Sequence, residues 1–271
     1  MGEKCEVRPL DKMRQIILEI SSEGKRWNHV HGLMQIDITA TRRMISAIKA
    51  DGGEAPSMTG FIISCLARAI DQNKSLHAIR KGRNVHIFDD VDVSTVIERD
   101  DPTGNPVPTS IIIRAANKKP YRAIHDEIKK ARRQSVSGSV LGESKQAKRT
   151  NMLIRLPAFI RKLVWWWSRR SPQFRKDSMG TVHVTAVGMF ADGFDAGWAI
   201  PVAPWPLILT IGTISKRLQR MPDGEDGVAE FINLTLTIDH DVVDGAPATR
   251  FLVHFKQLLE SGDGLESFRS A

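Results

Sequence analysis

Residues 230–246, EFINLTLTIDHDVVDGA, decide how the chain is expected to fold. Apolar and polar residues alternate up to Asp239, which predicts a β-strand with one face in a hydrophobic core. A tight turn follows, and a helix begins at Ala246, with Pro247 suited to its first turn and Gly262 to its end. The strand offers Ile232, Leu234, Leu236 and Ile238 to the core, and the helix offers Phe251, Leu252, Phe255, Leu258 and Leu259. The stretch therefore predicts a strand–turn–helix unit.

Outward from this unit, helix and strand patterns are mixed along the chain. Helical periodicity is present in residues 13–23, 41–50, 56–71 and 119–133. Strand patterns are present in residues 30–38, 111–113, 181–187 and 207–214, and residues 85–97 predict two short strands with a bend. This order is neither a regular strand–helix–strand series nor an all-β chain. We therefore predict an α/β or mixed α+β fold with one large mixed β-sheet flanked by helices.

The composition is that of a globular protein with an excess of basic residues. The 271 residues carry a net charge of +8, and 41% of them are hydrophobic. The excess favours acidic partners, such as nucleic acid, anionic lipid, a phosphorylated cofactor or an acidic protein. No helix-turn-helix or RNA-binding signature accompanies the charge, so we expect no nucleic-acid partner. Two cysteines and the lack of an apolar N-terminal stretch predict a reducing, cytoplasmic location.

Residues 134–178 are expected to form a variable insertion that is basic and aromatic. Residues 134–150 predict an exposed connection, and residues 152–170 predict an amphipathic helix that is too short and too charged to cross a membrane. Its three consecutive tryptophans point about 100° apart, so at least one of them is exposed unless something covers the helix. The cover can be the protein itself or a neighbouring subunit, a carrier protein, or a membrane surface in a peripheral contact. We favour a neighbouring subunit, because symmetric assemblies normally bury such patches.

The familiar catalytic motifs are absent from the sequence. It has no Gly-x-Ser-x-Gly elbow, no phosphate-binding loop and no dinucleotide glycine fingerprint. His29 and His31 can face one side of a strand, but no Cys, Asp or Glu cluster accompanies them, so we expect no metal. His240, at the end of the polar-faced strand, is the remaining candidate, although taken alone it also fits an ordinary surface histidine. A neutral imidazole can take the proton of a thiol, and the resulting thiolate is the competent nucleophile.

The turn after the strand resembles an active-site motif. Residues 240–245 are similar to the His-x-x-x-Asp-Gly motif of the dihydrolipoamide acyltransferases. Those are the catalytic cores of 2-oxo acid dehydrogenase complexes, and they are related in fold to chloramphenicol acetyltransferase. Residues 180–188, GTVHVTAVG, resemble the strand of that family that ends in Ser or Thr, one residue, an aliphatic residue and Gly. Residues 13–14 and 107–108 resemble its opening helix and its Val-Pro strand, so the resemblance covers roughly residues 10–262.

The resemblance implies a fold, an assembly and a mechanism. The fold is a chloramphenicol acetyltransferase-like mixed sheet, assembled as a homotrimer or a multiple of trimers with the active site between subunits. Acyl-CoA enters such a site from one end, and a lipoyl group on a separate partner protein enters from the other. His240 is then the general base, and Thr185 of a neighbouring subunit donates a hydrogen bond to the oxyanion. Asp244 is expected to orient the loop, and Gly245 is expected to supply the turn geometry only.

The chain also departs from the family pattern. We expect a single acyltransferase catalytic domain over residues 1–271, without the lipoyl and peripheral-subunit-binding domains of the full-length enzymes. Residues 18–20, Leu-Glu-Ile, stand where the first helix of the family usually holds basic residues, and residues 193–198 replace a common loop sequence. The acyl group and the acceptor thiol, which is CoA, a lipoyl domain or another carrier, stay open. Two other hypotheses also stay open: a catalytically silent oligomeric scaffold of the same fold, and a basic surface that binds anionic lipid or nucleic acid.

Overall fold

The structure is a computed structural model, and it describes residues 5–100, 106–133, 156–188, 191, 194–220 and 224–268. The helices are α1 Lys12–Gly24, α2 Thr39–Ala50, α3 Met58–Asp71, α4 Tyr121–Arg133, α5 Ala158–Arg170, α6 Pro172–Met179 and α7 Gly245–Ser261. The strands are β1 His29–Asp37, β2 Ile79–Lys81, β3 Asn84–His86, β4 Val93–Asp100, β5 Pro106–Ile113, β6 Val182–Ala186, β7 Leu207–Arg220 and β8 Asp226–Asp239. Short 3-10 helices cover Lys74–His77, Ala116–Lys118 and Leu265–Phe268.

Six of the strands form one mixed sheet in the order β1-β8-β7-β6-β4-β5. β6 runs parallel to β4 and to β7, and the other neighbouring pairs are antiparallel. β2 and β3 form a separate antiparallel hairpin. The predicted mixed sheet flanked by helices is confirmed, and so is the predicted unit of β8, a turn and α7. The sequence patterns did not indicate β2 or α6.

The hydrophobic core lies between one face of the sheet and the helices α2, α3, α4 and α7. The alternating apolar residues of β8 point into it and are at most 4% exposed: Ile232, Leu234, Leu236 and Ile238. α3 is buried along most of its length because it packs against both α4 and α7. Its Cys65 is buried, and burial raises the pKa of the thiol to about 12. Cys65 is therefore a core thiol that stays protonated near pH 7 and is not a nucleophile.

The opposite face of the sheet carries polar side chains and is covered by residues 194–206. Asn233 is fully buried there, and its Nδ2 donates to the carbonyl oxygen and the Oγ1 of Thr213 at 3.0 and 2.8 Å. The N–H of Gly197 donates to the same Oγ1 at 2.8 Å, which fastens the covering segment to β7. The two backbones approach so closely that a Cβ on Gly212 would clash with the carbonyl oxygen of Gly197. A glycine is therefore required at position 212.

α5 packs on α1 through charged groups. Nε and Nη2 of Arg161 lie 2.9 Å from Oε1 of Glu19, and Nε1 of Trp165 donates to Oε2 of Glu19 at 3.3 Å. Nη1 of Arg169 lies 2.7 Å from Oε1 of Glu23. The large apolar residues on the outer side of α5 are exposed: Phe159, Leu163, Trp166 and Trp167. The prediction that the three tryptophans cannot share one covered stripe is confirmed, while residues 134–155 of the predicted insertion lie outside the described residues. None of the described helices is long and apolar enough to cross a membrane.

Candidate active site

His240 lies on the turn between β8 and α7, with a fixed backbone and an exposed side chain. Its N–H donates to the carbonyl oxygen of Asn28 at 2.9 Å. The N–H groups of Val242 and Val243 donate to the carbonyl oxygen of Asp239 at 3.2 and 3.1 Å, and the buried Val243 side chain anchors the turn in the core. No hydrogen bond to the His240 imidazole is present in the described part of the chain. Both ring nitrogens are therefore available to an incoming group.

Two carboxylates flank His240, and they are held in different ways. Asp239 is buried at the end of β8, and this burial raises the pKa of its carboxyl group. Asp241 accepts a hydrogen bond from Nδ2 of Asn28 at 2.8 Å and lies 2.8 Å from Nη2 of Arg80. The hydrogen bond from Asn28, and then the charges of Arg80 and His240, lower the pKa of the Asp241 carboxyl group. The lowered pKa keeps the Asp241 carboxylate ionised near pH 7.

Asp244 and Gly245 lie at the start of α7, as the motif predicts. Asp244 is the N-cap residue with an extended backbone, but its side chain forms no capping hydrogen bond. Its negative charge still lies favourably at the N-terminus of the helix. Gly245 has no positive φ, and apart from its chain neighbours no heavy atom lies within 4 Å of a Cβ added to it. In the single chain, neither the backbone angles nor the surroundings of Gly245 require a glycine, so its turn role stays a prediction.

Thr185 lies on β6, on a different strand of the same sheet. It pairs in register with Thr210 of β7, which pairs with Thr235 of β8. The hydroxyl groups of Thr210 and Thr235 are buried without a hydrogen-bond partner, so the three threonines form a polar row across the sheet. Thr185 itself is only partly buried, and within the described ranges no hydrogen bond engages its hydroxyl group. This hydroxyl is therefore free to donate to another molecule.

The register of the sheet shows how far Thr185 lies from His240 in one chain. Thr185 is two strands away from Thr235, or about 10 Å at a strand spacing of about 4.8 Å. Thr235 precedes Asp239 by four residues, or about 13 Å along β8. The Cα atoms of Thr185 and His240 are thus separated by about 16 Å or more. The structure brings His240, Asp244 and Gly245 together in one turn, whereas Thr185 stays too far away to share a reacting carbonyl group with them.

The sheet face near Thr185 contains two residues that the sequence interpretation missed. His183 lies two residues before Thr185 on the same side of β6, and its ring stacks on Trp205 with the centroids 4.4 Å apart. Burial lowers the pKa of His183 to about 4, so its imidazole is neutral near pH 7. Nε2 of His29 lies 2.9 Å from the carbonyl oxygen of Trp205, which links this stack to β1. A histidine on the polar face of a predicted strand was the only sequence signal for the stack.

The histidine pair of β1 faces one side of the strand, as predicted, and each ring has a protein partner. The centroids of His29 and His31 are 6.4 Å apart, and Nδ1 of His31 lies 2.8 Å from a threonine hydroxyl group of β8.

Elsewhere in the described residues, three side chains offer ligand atoms within 4.8 Å of one another: Glu54, His125 and Asp126. Glu54 already forms ion pairs with Arg122 and Lys129, which compensate its charge. Contacts within the protein therefore account for the histidine pair of β1 and for the carboxylate of Glu54.

Comparisons with known proteins identify the family of the chain. The family model for 2-oxoacid dehydrogenases acyltransferase (catalytic domain) matches residues 2–148 and 169–265, which include both Thr185 and His240. The match omits residues 149–168, which contain most of α5. The lipoamide acyltransferase component of the branched-chain alpha-keto acid dehydrogenase complex of Bacillus subtilis is 24% identical over 239 residues, which cover 87% of this chain and 47% of that protein. The chain spans about half the length of the curated relatives it matches.

Solved structures share the fold. A probable dihydrolipoamide acetyltransferase from Listeria monocytogenes has a TM-score of 0.65 and 22% identity, with 95% of both chains covered. The cubic core of a pyruvate dehydrogenase multienzyme complex has a TM-score of 0.62 and 18% identity, with 98% of this chain and 95% of that chain covered. The family match extends over most of the sequence, through the sheet, the His240 turn and α7. The chain therefore belongs to the family of 2-oxoacid dehydrogenase acyltransferase catalytic domains.

Proposed function

We propose that this protein transfers an acyl group between two thiols. One thiol belongs to CoA, and the other is a dihydrolipoyl group or another carrier thiol on a separate protein. Family membership supports this class of reaction, and similar proteins bear the names lipoamide acyltransferase and dihydrolipoamide acetyltransferase. The observation that carries the proposal is the state of His240, whose backbone is fixed while its imidazole is exposed and free of hydrogen bonds within the described residues.

His240 acts as the general base. Its imidazole takes the proton of the attacking thiol, whose ordinary pKa is about 8.5, and the sulfur attacks the carbonyl carbon of the thioester. A new carbon–sulfur bond forms while the carbonyl electron pair moves to oxygen and gives a tetrahedral oxyanion. When this intermediate collapses, the original carbon–sulfur bond breaks, and the leaving thiolate takes the proton back from His240.

Thr185 donates its hydroxyl hydrogen to the oxyanion, and it comes from a neighbouring subunit. The separation of about 16 Å or more within one chain supports this, since both side chains have to approach one carbonyl group. A homotrimer, or a multiple of trimers, supplies three equivalent sites between subunits. The shared fold with a chain of a cubic core is compatible with such an assembly. CoA enters the site from one end and the carrier arm from the other.

Asp244 serves the turn rather than proton transfer. Its charge lies at the N-terminus of α7, and its extended backbone leads the chain from the His240 turn into the helix. The space around Gly245 is open in the single chain. This space gives a substrate or a neighbouring subunit room to approach the turn closely, which offers a reason for a glycine that the isolated chain does not provide.

The direct test is an assay of thiol release from acyl-CoA. Acetyl-CoA and a branched-chain acyl-CoA are the first donors, because the names of similar proteins include both classes. Each donor is measured with a reduced lipoylated domain as acceptor and with the unlipoylated domain as control. Release that requires the dihydrolipoyl thiol is the expected result. A chain that assembles normally but transfers no acyl group from any donor would contradict the proposal and favour a catalytically silent scaffold.

The position of the site between subunits has its own test. His240→Ala chains and Thr185→Val chains are each expected to have little activity alone. When they are mixed under conditions that exchange subunits, some interfaces combine an intact His240 with an intact Thr185, and activity is expected to return. Mass labelling of one chain confirms that exchange has taken place. Confirmed exchange without any recovery would mean that both residues act within one chain.

A further inference from the structure

The carboxylate of Asp241, the residue after His240, connects the His240 turn to two other parts of the fold. Oδ1 of Asp241 accepts a hydrogen bond from Nδ2 of Asn28 at 2.8 Å, and Oδ2 lies 2.8 Å from Nη2 of Arg80. Asn28 directly precedes β1, whereas Arg80 is the middle residue of β2 in the separate hairpin. Each carboxylate oxygen therefore has a partner, and the two partners come from different elements.

Neighbouring hydrogen bonds limit the movement of this group. The carbonyl oxygen of Asn28 also accepts the N–H of His240 at 2.9 Å, so Asn28 holds two successive residues of the turn. Nη1 of Arg80 donates to the carbonyl oxygen of Gly82 at 3.1 Å, which orients the guanidinium group on its own hairpin. The N–H of Asp241 donates to Oδ1 of Asp239 at 3.2 Å. The turn is thus fixed from β1, from the hairpin and from the end of β8.

This network contributes more to position than to stability. The Arg80 side chain is 49% exposed, and exposed ion pairs contribute little to the stability of a fold. A general base, in contrast, has to lie within hydrogen-bond distance of the proton that it takes, and a small displacement lowers the rate strongly. A contact that sets the position of the residue next to His240 therefore has its main effect on turnover.

We propose that Asp241 is a positioning residue, and that Arg80, Asp241 and Asn28 form a clamp that holds His240 where it can take the thiol proton. The inference rests on the proposed function, because it assigns a task to the clamp through His240. Arg80 acts through Asp241 in this arrangement and not through contact with the substrate.

The first test compares steady-state kinetics of Asp241→Asn and Arg80→Ala, with Arg83→Ala as the control. Arg83 is an exposed arginine in the turn of the same hairpin, and it forms no ion pair among the described residues. Each clamp variant is expected to lower kcat roughly tenfold with less than about a twofold change in KM. The double variant should lose about as much as either single variant, because both remove the same contact. Arg80→Lys keeps the charge and should recover part of kcat, and Arg83→Ala should behave as the wild type.

The second test measures hydrogen exchange at the His240 amide and needs no catalysis. The bond to Asn28 protects this amide, so both clamp variants should exchange it roughly tenfold faster, whereas the Leu236 amide in the middle of β8 should not change. Wild-type kcat together with wild-type exchange in both clamp variants would overturn the clamp. An equal loss of kcat in Arg83→Ala would also overturn it, because the effect would then belong to the charge of the hairpin. If the wild type transfers no acyl group from any donor, the proposed function fails, and if His240→Ala keeps full turnover, the proposed role of His240 fails; in both cases the exchange rates still decide whether the clamp holds the turn.

Discussion

The turn of His240 and the helix α5 relate to the family in opposite ways. The turn lies in the part of the chain that the family model matches, and it is fixed by β8, by the buried Val243 and by Asn28. α5 lies mostly in residues 149–168, which the family model does not match, and it leaves Phe159 73% and Trp167 53% exposed. The comparison teaches that the residues proposed for the reaction lie in the part of the chain that the family model matches, while the exposed apolar surface of α5 lies mostly outside that part.

The carboxylates of α1 and the basic residues of α5 belong to one contact. Residues 18–20 were expected to depart from the family pattern, and the structure shows the contacts of the Glu19 carboxylate. It pairs with Arg161 and accepts a hydrogen bond from Trp165, and one turn further Glu23 pairs with Arg169. The carboxylates of α1 therefore compensate the charges that α5 brings to its surface. Basic residues at these positions of α1 would instead repel the helix.

The largest effect on catalysis is expected at His240, in the turn that the family model matches. His240→Ala should lower kcat by a factor of about 10² to 10⁴, because the attacking thiol then keeps its proton. Folding and assembly should not change, since the imidazole is exposed in the chain. Acyl-transfer kinetics and the mass in solution check both parts, with His254→Ala on α7 as the control for loss of a histidine. Wild-type turnover in an intact His240→Ala assembly would sink the proposed mechanism.

A smaller effect is expected at Thr185. One hydroxyl donor to an oxyanion stabilises the transition state by about 3 kcal/mol, so Thr185→Val should lower kcat by about 10² and change KM much less. Thr185→Ser keeps the donor and should lose little activity. The two variants are compared in the same assay, and their thermal unfolding is recorded. An equal loss of activity in both variants would show that Thr185 packs the strand rather than donating to the intermediate.

Two buried histidines should make stability depend on pH. Burial lowers the pKa of both His183 and His77 to about 4 in the folded protein, whereas an unfolded histidine has a pKa of about 6.5. Between these two pH values the unfolded state therefore binds more protons than the folded state. The free energy of unfolding has its full value above about pH 6.5 and decreases as the pH falls towards 4. His183→Gln should remove on the order of 2 to 3 kcal/mol of this pH dependence, measured by denaturant unfolding at several pH values. The control His86→Gln, at an exposed histidine of β3, should leave the full dependence in place, and an equally steep dependence in His183→Gln would contradict the assignment.

Much of the fold could be predicted because local pattern and tertiary packing agree. In β8, Ile232 to Ile238 alternate with polar residues, and a shift by one residue would expose every apolar side chain, so the register follows from the pattern. α3 is apolar over many turns, and a buried position between two helices is the arrangement that such a helix requires. The motif then identified the His240 turn, because its spacing fixes a strand end and a helix start.

The remaining features depend on contacts that are distant in sequence. β2 has three residues, too few to show a periodicity, and it matters because Arg80 reaches Asp241. The stack of His183 on Trp205 joins residues from β6 and from the covering segment, and neither residue indicates the other. The sequence also does not show that Gly245 begins α7 without a positive φ, because that depends on how the turn after β8 enters the helix. Local rules could not predict these features, since each is set by packing between elements.

The smallest effect on catalysis is expected at α5, which lies mostly outside the part of the chain that the family model matches. Trp166→Ser combined with Trp167→Ser removes exposed aromatic rings and leaves the contact between Trp165 and Glu19 in place. If a neighbouring subunit covers this surface, the variant should lose assembly mass or solubility, and kcat of the assembled fraction should change by less than about twofold. Analytical ultracentrifugation and kinetics measure both, with Leu218→Ser at an 82% exposed residue of β7 as the control.

A vesicle experiment distinguishes a neighbouring subunit that covers α5 from a membrane that covers it. Lys162 and Arg170 lie on the exposed part of α5, and the guanidinium of Arg170 lies 3.9 Å from the centre of the Trp166 ring, so positive charge and aromatic surface are adjacent. Such a surface also suits the interface of an anionic bilayer, where tryptophan and basic side chains bind together. Sedimentation with neutral and anionic vesicles is therefore measured at low and high salt. With a subunit cover, the wild type and the double tryptophan variant should bind anionic vesicles equally weakly. Strong, salt-sensitive binding of the wild type that disappears in the variant would contradict the subunit cover, because the aromatic surface would then be accessible in the assembled protein.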